Sequence, residues 1–317
     1  MKARLLLLER TDLGGKEKDM NIRFDERVAI VTGAGAGLGR SYALELAARG
    51  ARLVVNDPGV LPDGSSRALR VVEEIRRQGG QAVASQDSVA DRDAAGKIVA
   101  AALDSFGRLD ILINNAGILR DKSFLKMPLD DFEEVLQVHL LGTVYLTKAA
   151  FPVMKEASYG RILLITSTAG LYGNFGQTNY AAAKLGLVGF MNALKLEGAQ
   201  YGINVNTVAP IAATGMAGGT FPAELSDRIS PAWVASAVLY LVSEPCRETG
   251  RILSAGGGYY SCVQMVEGKG VRFPAGAAVT AERIAERFPE IVSLDEARPY
   301  ENATENVVQI LSPLMGP

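Results

Sequence analysis

Short apolar runs recur along this chain, each closed by glycine, asparagine or proline and each followed by a longer stretch with apolar residues at helical spacing. Val28-Ala29-Ile30-Val31 runs straight into glycines, the pattern of a parallel strand covered on both faces. Leu38 to Arg49 reads as a helix closed by Gly50. The alternation then continues. Strands are predicted at Arg52 to Asn56, Gln81 to Ser85, Leu109 to Ile113, Arg161 to Ile165, Ile203 to Val208 (stopped by Pro210) and Arg251 to Ala255. Helices are predicted at Arg67 to Gln78, Ala94 to Phe106, Leu129 to Met154, Asn179 to Gly198 and Pro231 to Ser243, with Pro152 interrupting the end of the third. Strands alternating with helices of this length imply an α/β domain, a doubly wound parallel sheet with helices on both faces.

The ends differ from this pattern. Residues 1–19 read as a loose leader, polar and without periodicity from Thr11 to Asp19, and Met20 immediately precedes the first strand signal. Residues 20–256 form the domain. Residues 257–317 form a C-terminal extension with one predicted helix, Ala281 to Phe288, lying on the domain or on a partner subunit. No internal repeat and no second strand-helix series is present.

Composition removes several function classes. A net charge of −2 gives no drive toward nucleic acid or an anionic membrane. No apolar run approaches the ~18 residues of a membrane span. Leu5 to Leu8 is too short for a signal peptide, and Met315-Gly316-Pro317 is not a peroxisomal tripeptide address. Two cysteines, Cys246 and Cys262, make no disulfide framework, so a reducing, cytoplasmic setting is expected. His139 is the only histidine, which leaves no member for a Ser-His-Asp triad or a His-based metal cage.

The first strand-to-helix turn, Thr32-Gly33-Ala34-Gly35-Ala36-Gly37-Leu38-Gly39, carries the candidate cofactor site. Glycines there allow positive φ and close backbone approach to a pyrophosphate, which the helix N-terminus then binds. A glycine triple alone fits any tight turn equally well; the strand before and helix after make it specific. Asp57 ends the second strand, where an acidic side chain takes ribose hydroxyls and repels a 2′-phosphate, favouring NAD over NADP. The alternative is a turn aspartate before Pro58. Asp87 and Ser88, followed by Val89, fit an adenine edge or a cap for the next helix equally well.

Tyr180 and Lys184 lie four apart among helix formers, so they share a face. A nearby ammonium and a positive nicotinamide would lower the phenol pKa from ~10 toward the range of a general base. Ser167, thirteen positions before Tyr180, follows an apolar strand and can hold a substrate oxygen while Tyr180 takes its proton.

Together TGAGAGLG, Asn114-Asn115-Ala116-Gly117, Ser167, Tyr180 with Lys184, and Pro210 with Thr214 resemble the short-chain dehydrogenase/reductase family over residues 24 to about 255. The resemblance implies a Rossmann fold, a nicotinamide cofactor, Asn115 and its neighbours near the adenine-ribose side, and Thr214 on the carboxamide. Two positions depart from the family pattern: His139 stands where an asparagine usually holds a water beside the catalytic lysine, and Ile211 follows Pro210 where glycine is common. An imidazole can hold that water; alternatively His139 packs under the site without a role.

Longer stretches, including RFDERVAIVTGAGAGLGR, NNAGILRDKSF, VHLLGT and LYGNFGQTNYAAAKLGL, resemble the dehydrogenase region of peroxisomal multifunctional enzymes of type 2. That resemblance implies NAD-dependent oxidation of a (3R)-3-hydroxyacyl-CoA. Bacterial relatives act on CoA-activated sterol side chains, and some members accept 17β-hydroxysteroids. A stand-alone bacterial version is expected, a homodimer or homotetramer taking an acyl-CoA or steroid-CoA substrate and no metal. The competing readings are a 17β-hydroxysteroid dehydrogenase, an NADPH-dependent 3-oxoacyl reductase and a non-catalytic dinucleotide sensor. Residues 211–228, rich in glycine, are expected to form a lid over the substrate.

Overall fold

The computed structural model describes residues 21–213, 228–274 and 276–312. The chain alternates β1 (Val28–Thr32), α1 (Gly37–Ala48), β2 (Arg52–Asn56), α2 (Arg67–Arg77), β3 (Gln81–Ser85), α3 (Ala94–Phe106) and β4 (Ile111–Asn114). It continues through α4 (Leu129–Leu136), a π-helical turn at Gln137–Leu141, α5 (Gly142–Glu156), β5 (Gly160–Ile165), α6 (Thr168–Tyr172), α7 (Thr178–Gly198) and β6 (Ile203–Pro210). Then come α8 (Pro231–Val242), β7 (Ile252–Gly256), β8 (Tyr259–Val263), α9 (Ala281–Ile291) and α10 (Ala303–Leu311).

These strands form one eight-stranded sheet in the order β3-β2-β1-β4-β5-β6-β7-β8. All neighbours are parallel except β7 and β8. Order reverses between β1 and β4, so a crevice opens at the carboxyl ends of those two strands. Strand alternation divides the core. Ala29 and Val31 face a layer with Tyr42, Leu46, Val72 and Val238, from α1, α2 and α8. Val28 and Ile30 face a layer with Ile98, Leu146, Leu187 and Met191, from α3, α5 and α7. Strands covered on both sides have no solvent face, which is why their sequences are continuously apolar.

Three expectations are corrected. Pro152 does not interrupt its helix, which runs to Glu156: the proline and Lys148, one turn before it, both lie on the exposed face. Pro210 is paired within β6, opposite Ala255, rather than stopping the strand before it. The sheet also continues past residue 256, because β8 folds back through Gly257 and Gly258, both at positive φ, and pairs with β7.

Beyond β8 the extension carries α9, as expected, and also α10. Neither helix buries a residue, and Phe288, Val292, Leu294, Val307, Val308 and Ile310 are exposed. An ion pair from Lys195 on α7 to Glu301 ties this segment to the domain. The expected leader, residues 1–19, lies outside the described residues. Among the described residues no helix is long and apolar enough to cross a membrane.

The opposite end of the sheet from the crevice is held by Asp110, which is 1% exposed. Its carboxylate accepts from the Val28 N–H at 2.9 Å and pairs with Arg27 at 2.9 Å and Arg108 at 2.6 Å. Arg27 and Arg161 stack over the Tyr159 ring at 3.9 and 4.4 Å. Asp110→Ala would leave the Val28 N–H and the Arg108 guanidinium without their acceptor, while Arg27 keeps its pair with Glu244. Both arginines retain access to water, so the expected loss is about 2 kcal/mol, read from the urea midpoint at unchanged slope.

Candidate active site

Every candidate side chain within the described residues sits at the carboxyl end of a strand or on a helix facing that end. Gly33 and Gly37 adopt positive φ (62° and 54°). A side chain at Gly35 would meet Asp57 Oδ2 at 2.7 Å, and one at Gly39 would meet the Gly33 carbonyl and the Asn115 amide. The turn therefore tolerates no Cβ on its packed side. Helix α1 begins at Gly37 and Leu38 with no side-chain cap and no acidic residue in its first turn. Its first N–H groups are thus free to bind an anion. A bare cradle opening onto a helix N-terminus fits a dinucleotide pyrophosphate.

Asp57 follows β2 at the rim of this turn. Its Oδ2 accepts from Gly35 N–H at 2.9 Å and its Oδ1 from Gly59 N–H at 2.8 Å. The carboxylate therefore braces the glycine turn as well as presenting negative charge there. Asn56 beneath it donates to the Asp87 carbonyl at 2.8 Å and to Ser85 Oγ at 3.1 Å. Asp87 Oδ2 in turn accepts from Ser85 Oγ, Ser88 Oγ accepts from Ala90 N–H, and Val89 is buried against Gly142. Neither Asp87 nor Ser88 caps the next helix, whose N-cap is Asp93. Of the two expected readings, that one is excluded.

Thr32 and Asn115 join the two strands at the switch point. Thr32 Oγ1 accepts from the N–H groups of Asn115 and Ala116, each at 2.9 Å. Asn115 Nδ2 donates to the carbonyls of Thr32 (2.8 Å) and Gly33 (3.3 Å). Its amide donors are committed to the glycine turn, so Asn115 shapes the crevice from behind.

Ser167 caps the short helix α6, its Oγ accepting from Ala169 N–H at 3.1 Å. Gly170 in that helix lets it pack on α7: a Cβ there would lie 2.7 Å from Lys184 Cβ. Lys184 is 3% exposed and donates to the Ile165 carbonyl at 2.5 Å. Burial pulls its pKa down to about 7. Lys184 Nζ lies 5.5 Å from the centre of the Tyr180 ring. Burial raises the Tyr180 pKa, and the nearby Ser167 hydroxyl opposes that rise. The Lys184 ammonium is turned to the Ile165 carbonyl, and the Ser167 hydroxyl is the neighbour that favours the phenolate.

His139 sits in the π-helical turn, where one extra residue per turn rotates it inward. Its Nε2 lies 3.0 Å from Ile118 N and 2.8 Å from Ile118 O, and its Nδ1 is buried without a protein partner. The ring meets Tyr180 edge-on, centroids 5.1 Å apart. Burial, with the nearby Lys184 charge, lowers the His139 pKa to about 3. It is therefore a neutral imidazole at any working pH. The ring also occupies the space a side chain at Gly117 would need, with Nδ1 only 2.9 Å from that point.

Pro210 ends β6 beside the crevice, and Ile211 N–H donates to the Ala255 carbonyl at 2.8 Å. Thr214 and most of the expected lid lie outside the described residues. Two features escaped sequence reasoning. Asn179, fully buried beside Tyr180, bonds to three backbone groups; an asparagine inside the first turn of a helix was the available signal. The pairing of Gly117 with His139 gives no local pattern.

The short chain dehydrogenase family profile matches residues 27–224. A short-chain type dehydrogenase/reductase of Mycobacterium tuberculosis is 48% identical over 277 residues, covering 86% of this chain and 96% of that protein. Peroxisomal multifunctional enzyme type 2 of Drosophila melanogaster is 44% identical over 286 residues, covering 88% of this chain. The match takes in 47% of that enzyme, so the chain spans about half of its length. Its full-length structure superposes with a TM-score of 0.80 at 38% identity, covering 93% of this chain and 50% of that one. A 7α-hydroxysteroid dehydrogenase solved with NADH and 7-oxo glycochenodeoxycholic acid superposes with a TM-score of 0.69 at 31% identity, covering 75% of this chain and 96% of that one. Profile, relatives and fold agree: the chain belongs to the short-chain dehydrogenase family, oxidoreductases that act on CH–OH groups with a nicotinamide cofactor.

Proposed function

We propose that this enzyme oxidises a 3-hydroxyacyl-CoA thioester to the 3-oxoacyl-CoA with NAD. The observation that carries the chemistry is the convergence of Ser167, Tyr180 and Lys184 on one end of the crevice, opposite the glycine turn. Bound NAD supplies the hydride acceptor. Ser167 holds the substrate hydroxyl oxygen, and Tyr180 takes its proton as the hydride leaves the carbon. Lys184 and the neutral His139 form the buried polar path behind Tyr180. The substrate class rests on the likeness to the multifunctional enzymes across most of this chain. A hydroxysteroid is the second reading, favoured by the likeness to the 7α-hydroxysteroid dehydrogenase. Asp57 argues against an NADPH-dependent reductase. The exposed apolar residues of α9 and α10 favour a homodimer or homotetramer in which a partner subunit covers them. Turnover of aliphatic and steroidal CoA thioesters with NAD, beside free hydroxysteroids, tests the reading; activity on free steroids alone would replace it.

Tyr180→Phe is expected to lower kcat by at least about 10³-fold while NADH binding, followed by fluorescence, stays within twofold. A variant within tenfold of wild type would remove Tyr180 from the role of base.

Asp57→Ala should narrow the NAD preference in kcat/KM by relieving repulsion of a 2′-phosphate. It should also cost stability, because the Gly35 and Gly59 N–H groups lose their acceptor. A wild type that prefers NADP would contradict the assignment.

His139 also has a thermodynamic signature. A base with a folded pKa near 3 and an unfolded value near 6.5 binds its proton more readily when unfolded. Its contribution is complete above pH 6.5 and is lost as pH falls toward 3. Wild type should therefore lose stability through that window more steeply than His139→Asn, measured by urea unfolding at each pH. The asparagine variant should also retain more activity than His139→Leu, since it keeps hydrogen-bonding atoms at the site. Identical pH slopes for wild type and His139→Asn would show that the imidazole titrates normally in the fold.

A further inference from the structure

Helix α7 starts in an unusual way. The first N–H groups of a helix lack intrahelical partners and are commonly satisfied by the side chain of the N-cap residue. Here the N-cap, Gln177, gives no such bond. Its amide runs instead to Asp121 Oδ2 at 2.7 Å. The N–H of Tyr180 is taken by Asn179 from inside the helix, Oδ1 to N at 2.7 Å. Asn179 is fully buried, and its Nδ2 donates to the Arg120 carbonyl at 3.1 Å and the Asp131 carbonyl at 3.3 Å. The backbone of Tyr180 is thus referenced, through one amide, to the loop after β4 and to α4.

The far side of that loop is held as well. His139 Nε2 contacts the Ile118 backbone, and the His139 ring closes on the Tyr180 ring. The contacts make a closed circuit: His139, the Ile118–Arg120 backbone, Asn179, Tyr180 and back to His139. The step from Asn179 to Tyr180 lies within α7 and the others cross between elements, so the start of α7 and the Tyr180 ring are both tied to that loop.

We propose that Asn179 is a positioning residue for the reaction: it registers Tyr180 against residues 118–131 and so sets the phenol relative to Ser167 and Lys184. The proposal rests on the reading of Tyr180 as base, but not on which alcohol is oxidised. Only a neutral amide offers one acceptor and two donors in a single plane at this size. Asn179→Asp keeps the shape and the acceptor, and places negative charge favourably at a helix N-terminus, but turns an anion toward two carbonyls. Asn179→Ser keeps a short acceptor and loses the two-carbonyl staple. Neither change impairs the start of α7 itself.

Each variant is compared with the wild type in the full chain, using whichever alcohol the wild type oxidises. Both should lose about 10- to 100-fold in kcat, the scale of a base displaced by a fraction of an ångström to one ångström. The dissociation constant for NADH should stay within twofold. The deficit of Asn179→Asp should narrow from about pH 8 to about pH 5, because a protonated carboxyl can again donate to one carbonyl. A residue that only supports the helix would show no such recovery. Values of kcat within threefold of wild type for both variants overturn the proposal, as does a loss of NADH affinity matching the loss of kcat. A wild type active on hydroxysteroids but not on hydroxyacyl-CoA overturns the substrate reading and leaves this test intact.

Discussion

The crevice depends on how the ends of β1 and β4 are pinned to each other. A parallel sheet that reverses its order must part its loops at the switch point, and something must stop the two strand ends from drifting. Thr32 and Asn115 do this reciprocally, hydroxyl to two backbone N–H groups and amide to two backbone carbonyls. The glycine turn rests on that clamp from one side and on Asp57 from the other. With both fixed, the first turn of α1 faces the crevice without needing a charged side chain of its own.

The same logic governs the catalytic side. Lys184, His139, Thr166 and Asn179 are all polar and nearly or fully buried, a costly arrangement unless each finds partners. Most of those partners are backbone carbonyls and N–H groups: Ile165 for Lys184, the Lys184 carbonyl for Thr166, Ile118 for His139, Arg120 and Asp131 for Asn179. Backbone partners do not rotate away. The site therefore owes its geometry to fixed backbone at the end of β5, in the loop after β4 and in α4 and α7, with side-chain pairing in a lesser part.

Much of this was legible in the sequence. The apolar runs of β1 to β6 are bounded by glycine, asparagine and proline, and a strand buried on both faces leaves no ambiguity of face. The glycine turn and the Tyr180–Lys184 spacing are local and could be read directly. What stayed hidden depends on contacts between distant segments. Strand β8 (Tyr259–Val263) is a mostly exposed edge strand without a continuous apolar run, and it reaches its partner through the turn at Gly257 and Gly258. Helix α10 carries apolar residues but packs them on nothing within the described chain, so no core position marked it. The four-residue spacing places Lys184 near the Tyr180 ring, but it could not show that the ammonium turns to the Ile165 carbonyl at the end of β5. Asn179 gave only a faint signal, since a helix-start asparagine is common and its partners lie some fifty residues upstream.

The fit of the imidazole into the space above Gly117 also constrains how this chain can change. Any side chain at position 117 collides with the ring of His139, and shrinking the ring first would open that space. The two positions are therefore epistatic: a substitution at 117 that is ruinous alone becomes admissible after one at 139, while the reverse order is blocked. A mutational library built one position at a time would score Gly117 as immutable. A pairwise library would find a second family of solutions, in which the loop after β4 is packed by its own side chain and the helix opposite contributes a smaller one.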